Sequence, residues 1–167
     1  MAYFYFDTSA LLKRYRREPG TDALNHLLAT TTAQSGFSLC YTSYLTVLES
    51  TSSLLRLVKG GQMEEDKATE MLARFHSDIN QWLTVWPVDD ALLRESLLVV
   101  QRHRLKAADA IHLATALGIS LATPGENMVV VASDAQLAAA AGVSGLEAFN
   151  PESRSWRARL NRLGLPS

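Results

Sequence analysis

Four aromatic residues in succession, Tyr3-Phe4-Tyr5-Phe6, end at a single carboxylate, Asp7, and this junction constrains the fold more than any other stretch. An apolar run that does not alternate with polar residues suits a strand buried on both faces, as in a parallel sheet. The next residues, Thr8-Ser9-Ala10-Leu11-Leu12-Lys13, turn at once to helical spacing. Leu11, Leu12 and Tyr15 recur on one side, and Thr8 or Ser9 offers a capping hydroxyl. Asp7 therefore stands at the carboxyl end of a strand, where open α/β sheets place their ligand sites.

The same pattern of apolar run, acid and helix returns late in the chain. Met128-Val129-Val130-Val131-Ala132 ends at Ser133-Asp134, ahead of a helix over residues 135–141. Between the two, Glu18-Pro19-Gly20 marks a break before a helix carrying Leu24, Leu27 and Leu28, and residues 37–41 read as a second strand. Thr42-Ser43 caps a helix whose apolar stripe is Tyr44, Val47, Leu48, Leu54, Leu55 and Val58; Glu49 lies off that stripe, on a face with Ser52, Ser53 and Arg56 that borders a cleft. After Gly60-Gly61 come a helix over residues 63–80, with Met71, Leu72 and Phe75 facing inward, and a third strand over 83–88 whose end or edge Pro87 marks. Asp89 caps a helix with Leu92, Leu93, Leu97 and Val100, a basic turn runs from Arg102 to Lys106, a small-residue helix contains Asp109, and residues 146–149 form a last short strand. Strands alternating with helices predict an α/β domain with a mostly parallel sheet. Right-handed crossovers then bring the strand ends bearing Asp7 and Asp134 to one edge, within reach of Glu49 and Asp109 early in their helices.

At 167 residues, 47% apolar and 20% charged, the chain has the makeup of one globular domain. Its net charge of −1 supplies no global field for nucleic acid, but four arginines (Arg154, Arg157, Arg159, Arg162) face Glu152 alone beyond Pro151. The expected division is a domain over residues 1–150 and a basic C-terminal tail over 151–167, whose Trp156, Leu160 and Leu163 need a surface to lie on. Cys40 is the single cysteine, so the reading is a buried free thiol in a reducing compartment. No basic-then-apolar leader and no membrane-length apolar run is present in the sequence, which predicts a cytoplasmic protein with no membrane partner.

Four carboxylates at one edge repel: two unit charges 4 Å apart cost about 4 kcal/mol at an effective dielectric near 20. A cation is needed to offset them. All-oxygen ligands without a Cys or His cluster select Mg²⁺ or Mn²⁺ over zinc. Such an ion keeps several waters, lowers the pKa of one, and neutralises charge on a phosphoryl transition state.

Four pieces of sequence together resemble a PIN-domain ribonuclease of the VapC toxin type: Asp7-Thr8-Ser9-Ala10-Leu11-Leu12-Lys13; Thr42-Ser43 with Glu49; Leu105-Lys106-Ala107-Ala108-Asp109-Ala110-Ile111-His112-Leu113-Ala114; and Ala132-Ser133-Asp134. The resemblance implies a three-layer α/β/α PIN-like fold, Mg²⁺-dependent endoribonuclease activity, a cognate antitoxin as inhibitor and a homodimer. By position it makes Asp7, Glu49, Asp109 and Asp134 the catalytic and metal-binding acids. Lys13, Lys106 and Ser9 are the candidate RNA contacts beside them, and His112 reads as a packing or surface histidine rather than a base.

Singly, Asp7, Asp109 and Asp134 each also read as helix caps, and Glu49 as a solvated helix-face charge. A non-catalytic RNA- or protein-binding module on the same fold is the competing function; it predicts loss of one or more acids, and all four are present. A haloacid-dehalogenase-like phosphatase needs a second Asp two residues after the first, where Ser9 stands.

Overall fold

The aromatic run forms β1 (Ala2–Phe6), and β2 (Cys40–Ser43), β3 (Leu83–Trp86), β4 (Asn127–Val131) and β5 (Glu147–Phe149) join it in one sheet of order β3-β2-β1-β4-β5, every pair parallel. The structure is a computed structural model and describes residues 2–34 and 39–165. Among these residues, eight helices cover the sheet: α1 (Thr8–Leu11), continued by a 3-10 turn (Leu12–Arg14), α2 (Thr21–Gln34), α3 (Tyr44–Lys59), α4 (Glu65–Gln81), α5 (Asp90–His103), α6 (Ala107–Ala122), α7 (Ala135–Val143) and α8 (Trp156–Arg162). The result is a three-layer α/β/α domain.

The layering follows from chain direction. From β1 the chain steps outward to β2 and β3, then returns past β1 to β4 and β5. Because parallel crossovers are right-handed, reversing the step direction moves the connecting helices to the other face. The side chains obey the same division. Phe4 and Phe6 pack with Leu24, Leu27, Leu54 and Phe75 on one side; Tyr5 packs with Leu113, Val130 and Leu137 on the other. All three aromatics are fully buried, each contributing about 2–3 kcal/mol by removal from water. The reversal leaves a switch point between β1 and β4, at the carboxyl ends that carry Asp7 and Asp134.

Several sequence expectations shift. The second strand begins at Cys40, and the stretch before Leu39 expected to start it lies outside the described residues. β3 stops at Trp86, before Pro87, and is the sheet edge. On α3 the buried positions are Thr46, Ser50 and Leu54, whereas Tyr44, Leu48 and Leu55 are exposed; on α5, Leu92, Ser96 and Val99 are buried and Leu93 and Leu97 exposed. Cys40 is buried as expected, and burial pushes its thiol up to about 12.

The stretch from residue 151 is not a separate tail. Leu160 and Leu165 are buried in the same core as Phe4, Phe6 and Leu24. Trp156 meets His26 with ring centroids 5.4 Å apart, and Arg159 bonds the Ala148 carbonyl and the Glu147 carboxylate. Gly20, at φ +90, lets Pro151 approach: a Cβ there would stand 3.0 Å from the Pro151 carbonyl carbon. No single helix among the described residues is long and apolar enough to cross a membrane; α5 and α6 reach that length only together, across a bend of 112°.

Candidate functional site

A pocket of about 540 Å³ opens at the switch point, and Asp7, Glu49, Asp109 and Asp134 all line it, joined by Thr8, Ser9 and His112. Each acid arrives on a different element. Asp7 ends β1 and is itself the N-cap of α1: its Oδ1 accepts from the Ala10 backbone N–H at 2.8 Å, and Ser9 Oγ donates to both carboxylate oxygens at 2.9 and 2.8 Å. The cap expected of Thr8 or Ser9 is therefore Asp7. Asp134 caps α7 through Oδ1, which accepts from Gln136 N–H and Leu137 N–H. Asp109 lies in the first turn of α6 without capping it, and Glu49 in the second turn of α3, which Ser43 caps. Capping and pocket-lining coincide in Asp7 and Asp134, because a strand end that starts a helix places the cap side chain at the sheet's carboxyl edge.

Ser9 does more than cap. Its Oγ accepts from the Ser133 N–H at 3.1 Å, and Asp7 N–H donates to the Val131 carbonyl at 3.2 Å. These bonds lock the two strand-end loops together across the switch point. Ser9 lines the pocket as expected, but its hydroxyl is committed to Asp7 and Ser133, which makes it a positioning group.

Glu49 is held from one side. Thr8 Oγ1 donates to its Oε2, and His112 Nε2 lies 3.0 Å from the same oxygen. No described residue donates to Oε1, so the bound oxygen fixes the carboxylate and the other faces the pocket. His112 is 2% exposed, and its Nδ1 is 2.7 Å from Tyr5 Oη, which also reaches Ser43 Oγ at 3.1 Å. The sequence placed His112 as a packing histidine, and buried it is. Its spacing three residues past Asp109, on the pocket side of α6, was the available signal that it also touches an acid.

The charges separate accordingly. Burial raises the Asp7 carboxyl to about 6, against lowering by His112, the Ala10 N–H and Ser9, with Asp109 adding to the rise. Burial and then the neighbouring Asp134 raise Asp109. Glu49 is lowered, chiefly by its hydrogen bond from His112. A cluster in which two acids resist ionisation is short of positive charge. All-oxygen carboxylates short of a cation suit a hard divalent ion, and in this donor set the residues fit one. Among the described residues no three His, Cys, Asp or Glu side chains form a ready-made cage. An ion that keeps most of its waters and takes one or two carboxylates directly does not require one.

Two expected RNA contacts part company. Lys106, at the N-cap of α6, is exposed, and its charge acts on Asp109. Lys13 is 3% exposed and does not line the pocket; its Nζ lies 2.6 Å from Glu152 and 3.2 Å from Glu18. Its charge is consumed in tying the α1 segment to residue 152, which corrects the expectation that it meets phosphate.

Comparison with known proteins agrees with this geometry. The PIN domain family matches residues 4–143. No curated protein matches the chain. Among solved structures, the chain is similar to FitAcB from Neisseria gonorrhoeae (20% identity, 89% of this chain and 97% of that chain covered, TM-score 0.58) and to PAE2754 from Pyrobaculum aerophilum (19%, 98% and 96%, 0.59). It is also similar to a toxin-antitoxin complex from Klebsiella pneumoniae (18%, 88% and 96%, 0.58). At these identities the likenesses speak to the fold, and the family match covers most of the length. The chain belongs to the PIN domain family.

Proposed function

We propose that this PIN domain is a Mg²⁺-dependent endoribonuclease and the toxin of a toxin-antitoxin pair. The observation that carries the reading is the convergence of Asp7, Glu49, Asp109 and Asp134, from four elements, on one pocket where Asp7 and Asp109 resist ionisation. Domains of this family are in general nucleases that use divalent metal ions. Mg²⁺, or Mn²⁺, held through these acids and its own waters, supplies a water of lowered pKa and neutralises charge on the scissile phosphate. The chain's own residues prepare that site. Ser9 and the Ala10 N–H fix both oxygens of Asp7; Thr8 and His112 fix one oxygen of Glu49 and leave the other to the pocket. Lys106 offers an exposed ammonium beside Asp109 for a phosphate of the substrate.

The protein partners follow the same reading. The Klebsiella pneumoniae neighbour is a toxin-antitoxin complex, which supports an antitoxin for this chain. Exposed Tyr44, Leu48, Leu55, Leu93, Leu97 and Leu98 supply apolar surface for a protein, whether antitoxin or a second copy in a homodimer. The place of action is the cytoplasm.

The test is cleavage of single-stranded RNA by purified protein in Mg²⁺ and in EDTA, beside the Asp109→Ala form, with growth of a bacterial host expressing each. Cleavage and growth arrest by the parent alone, abolished by EDTA in vitro, are expected. Cleavage that persists in excess chelator overturns the metal role, and RNA binding without cleavage by the parent returns the chain to the non-catalytic module.

A further inference from the structure

The groove that holds the four acids continues past them. Two elements leave the acid pocket side by side. In the 3-10 turn, Leu12 lines that pocket and Tyr15, one turn on, lines a second; in α3, Ser53 and Arg56 line the first and Leu57 the second. The second pocket has a volume of about 430 Å³. Its apolar floor is Tyr15, Leu57, Met63 and Met71, and its rim is Arg16, Arg17 and Lys67.

The two ends of this groove have opposite charge. All three rim cations are exposed and no carboxylate lines the second pocket; Glu65 and Asp66, at the start of α4, do not reach it. Arg16 Nε has Glu18 at 3.9 Å, the limit of an ion pair. Arg56 stands between the two pockets, exposed and bonded at 3.2 Å to Ser53 Oγ. Leu57 lies two turns beyond Glu49 on α3, about 12 Å along the helix axis at 1.5 Å per residue. That separation is the reach of a few nucleotides. The floor is also rigid where it counts, because Tyr15 packs edge-on against Phe75 at 5.3 Å and its hydroxyl donates to Asp78.

We propose that this second pocket is a subsite for single-stranded RNA, which holds a phosphate a few nucleotides from the cleaved bond on Arg16, Arg17 and Lys67 and lays its base against the Leu57 and Met63 floor. The inference rests on the nuclease reading of the acid pocket. A cluster of carboxylates repels a polyanion, so affinity for the strand comes from cations elsewhere along its path. Cations position the backbone, and a flat apolar floor beside them accepts the face of any base. An acidic protein segment would satisfy the rim but has no flat ring for the floor, and it has no reason to continue into four further carboxylates.

The test uses fluorescence anisotropy of a short labelled oligouridine in EDTA, where cleavage is off, with the parent and the R16Q/R17Q/K67Q form. All three side chains are exposed, so unchanged thermal melting checks the fold of the variant. The expected result is an affinity lower by about tenfold or more at low salt and a slope of log affinity against log salt shallower by about 2, at ~0.7 per phosphate contact. An unchanged slope, or no binding by the parent, overturns the subsite. So does a labelled oligoglutamate whose binding the triple substitution abolishes while oligouridine is unaffected, since the groove then serves an acidic protein. A parent that binds with the expected slope yet cleaves no RNA in Mg²⁺ supports the subsite and refutes only the nuclease reading.

Discussion

His112 Nε2 lies 3.0 Å from Glu49 Oε2, and the opposite ring nitrogen lies 2.7 Å from Tyr5 Oη, so a buried column of three side chains runs from the middle of β1 to the acid pocket. An ionised carboxylate only accepts, so Nε2 carries a proton toward Glu49 and the phenol fixes the ring from behind. Replacing His112 with Ala unties Glu49 and leaves a phenol buried without its closest partner, a loss of about 1–3 kcal/mol in stability. Glu49 then ionises less readily, because its largest lowering influence is gone. Metal-induced thermal stabilisation should shrink with the substitution, and Tyr5→Phe should reproduce part of that loss. Unaltered metal-induced stabilisation in both variants would reduce the column to packing.

Lys13 is the clearest case of a role that sequence alone could not assign. Its nearest carboxylate, Glu152, is 139 residues away, and Gly20 opens the space through which that segment approaches. Breaking a buried pair by removing one partner strands the others, at about 3–5 kcal/mol where burial is complete, and less here because Glu152 is partly exposed. Lys13→Ala should therefore melt well below the parent, while the salt slope of RNA binding stays as it was. A shallower slope at unchanged melting temperature would restore Lys13 to the RNA surface.

The strands at the switch point were legible because β1 and β4 are continuous apolar runs, and handedness does the rest: two strand-end acids on neighbouring parallel strands share an edge. The faces of α3 and α5 were not. On each helix two overlapping stripes have the same 3.6-residue period, and the more hydrophobic one, with Leu48 or Leu97, points to solvent while Thr46, Ser50 or Ser96 faces in. Periodicity gives the angle of a stripe and not its partner. The Glu49–His112 contact and the burial of Lys13 depend likewise on pairings between distant segments that no local pattern encodes.

Leu160 tests the last segment. It is fully buried against the core of β1 and α2, which makes Leu160→Ala a cavity substitution costing about 2–5 kcal/mol. Truncation from Pro151 should cost more, removing Leu165 and the Glu152 partner of Lys13 as well. Denaturant melts check both. A truncated chain with parental stability would show that α8 lies on the domain without supporting it.

Asp7 decides between a metal site and a structural cap, through the sign of one stability change. In the folded chain burial holds its carboxyl at about 6, above its ordinary 3.8. Between those values the folded state binds more protons than the unfolded, so stability from this group is fully present below 3.8 and lost as pH rises through about 6. Asp7→Asn keeps an oxygen for the Ala10 N–H and removes the charge, and Asn caps as well as Asp. In EDTA at neutral pH the variant should thus be more stable than the parent, by about 1–3 kcal/mol. The gain should fade to nothing as pH drops toward 3.8, where both side chains are neutral. Added salt should reduce it, because the remaining repulsion from Asp109 is partly screened. With Mg²⁺ the order should close or reverse, since only the parent gains RT ln(1 + [L]/Kd) from the ion. Melts of both proteins across pH, in EDTA and in Mg²⁺, carry the comparison; a variant that melts lower in EDTA at neutral pH would make Asp7 a structural anion, its charge stabilising the α1 cap and not crowding a metal site.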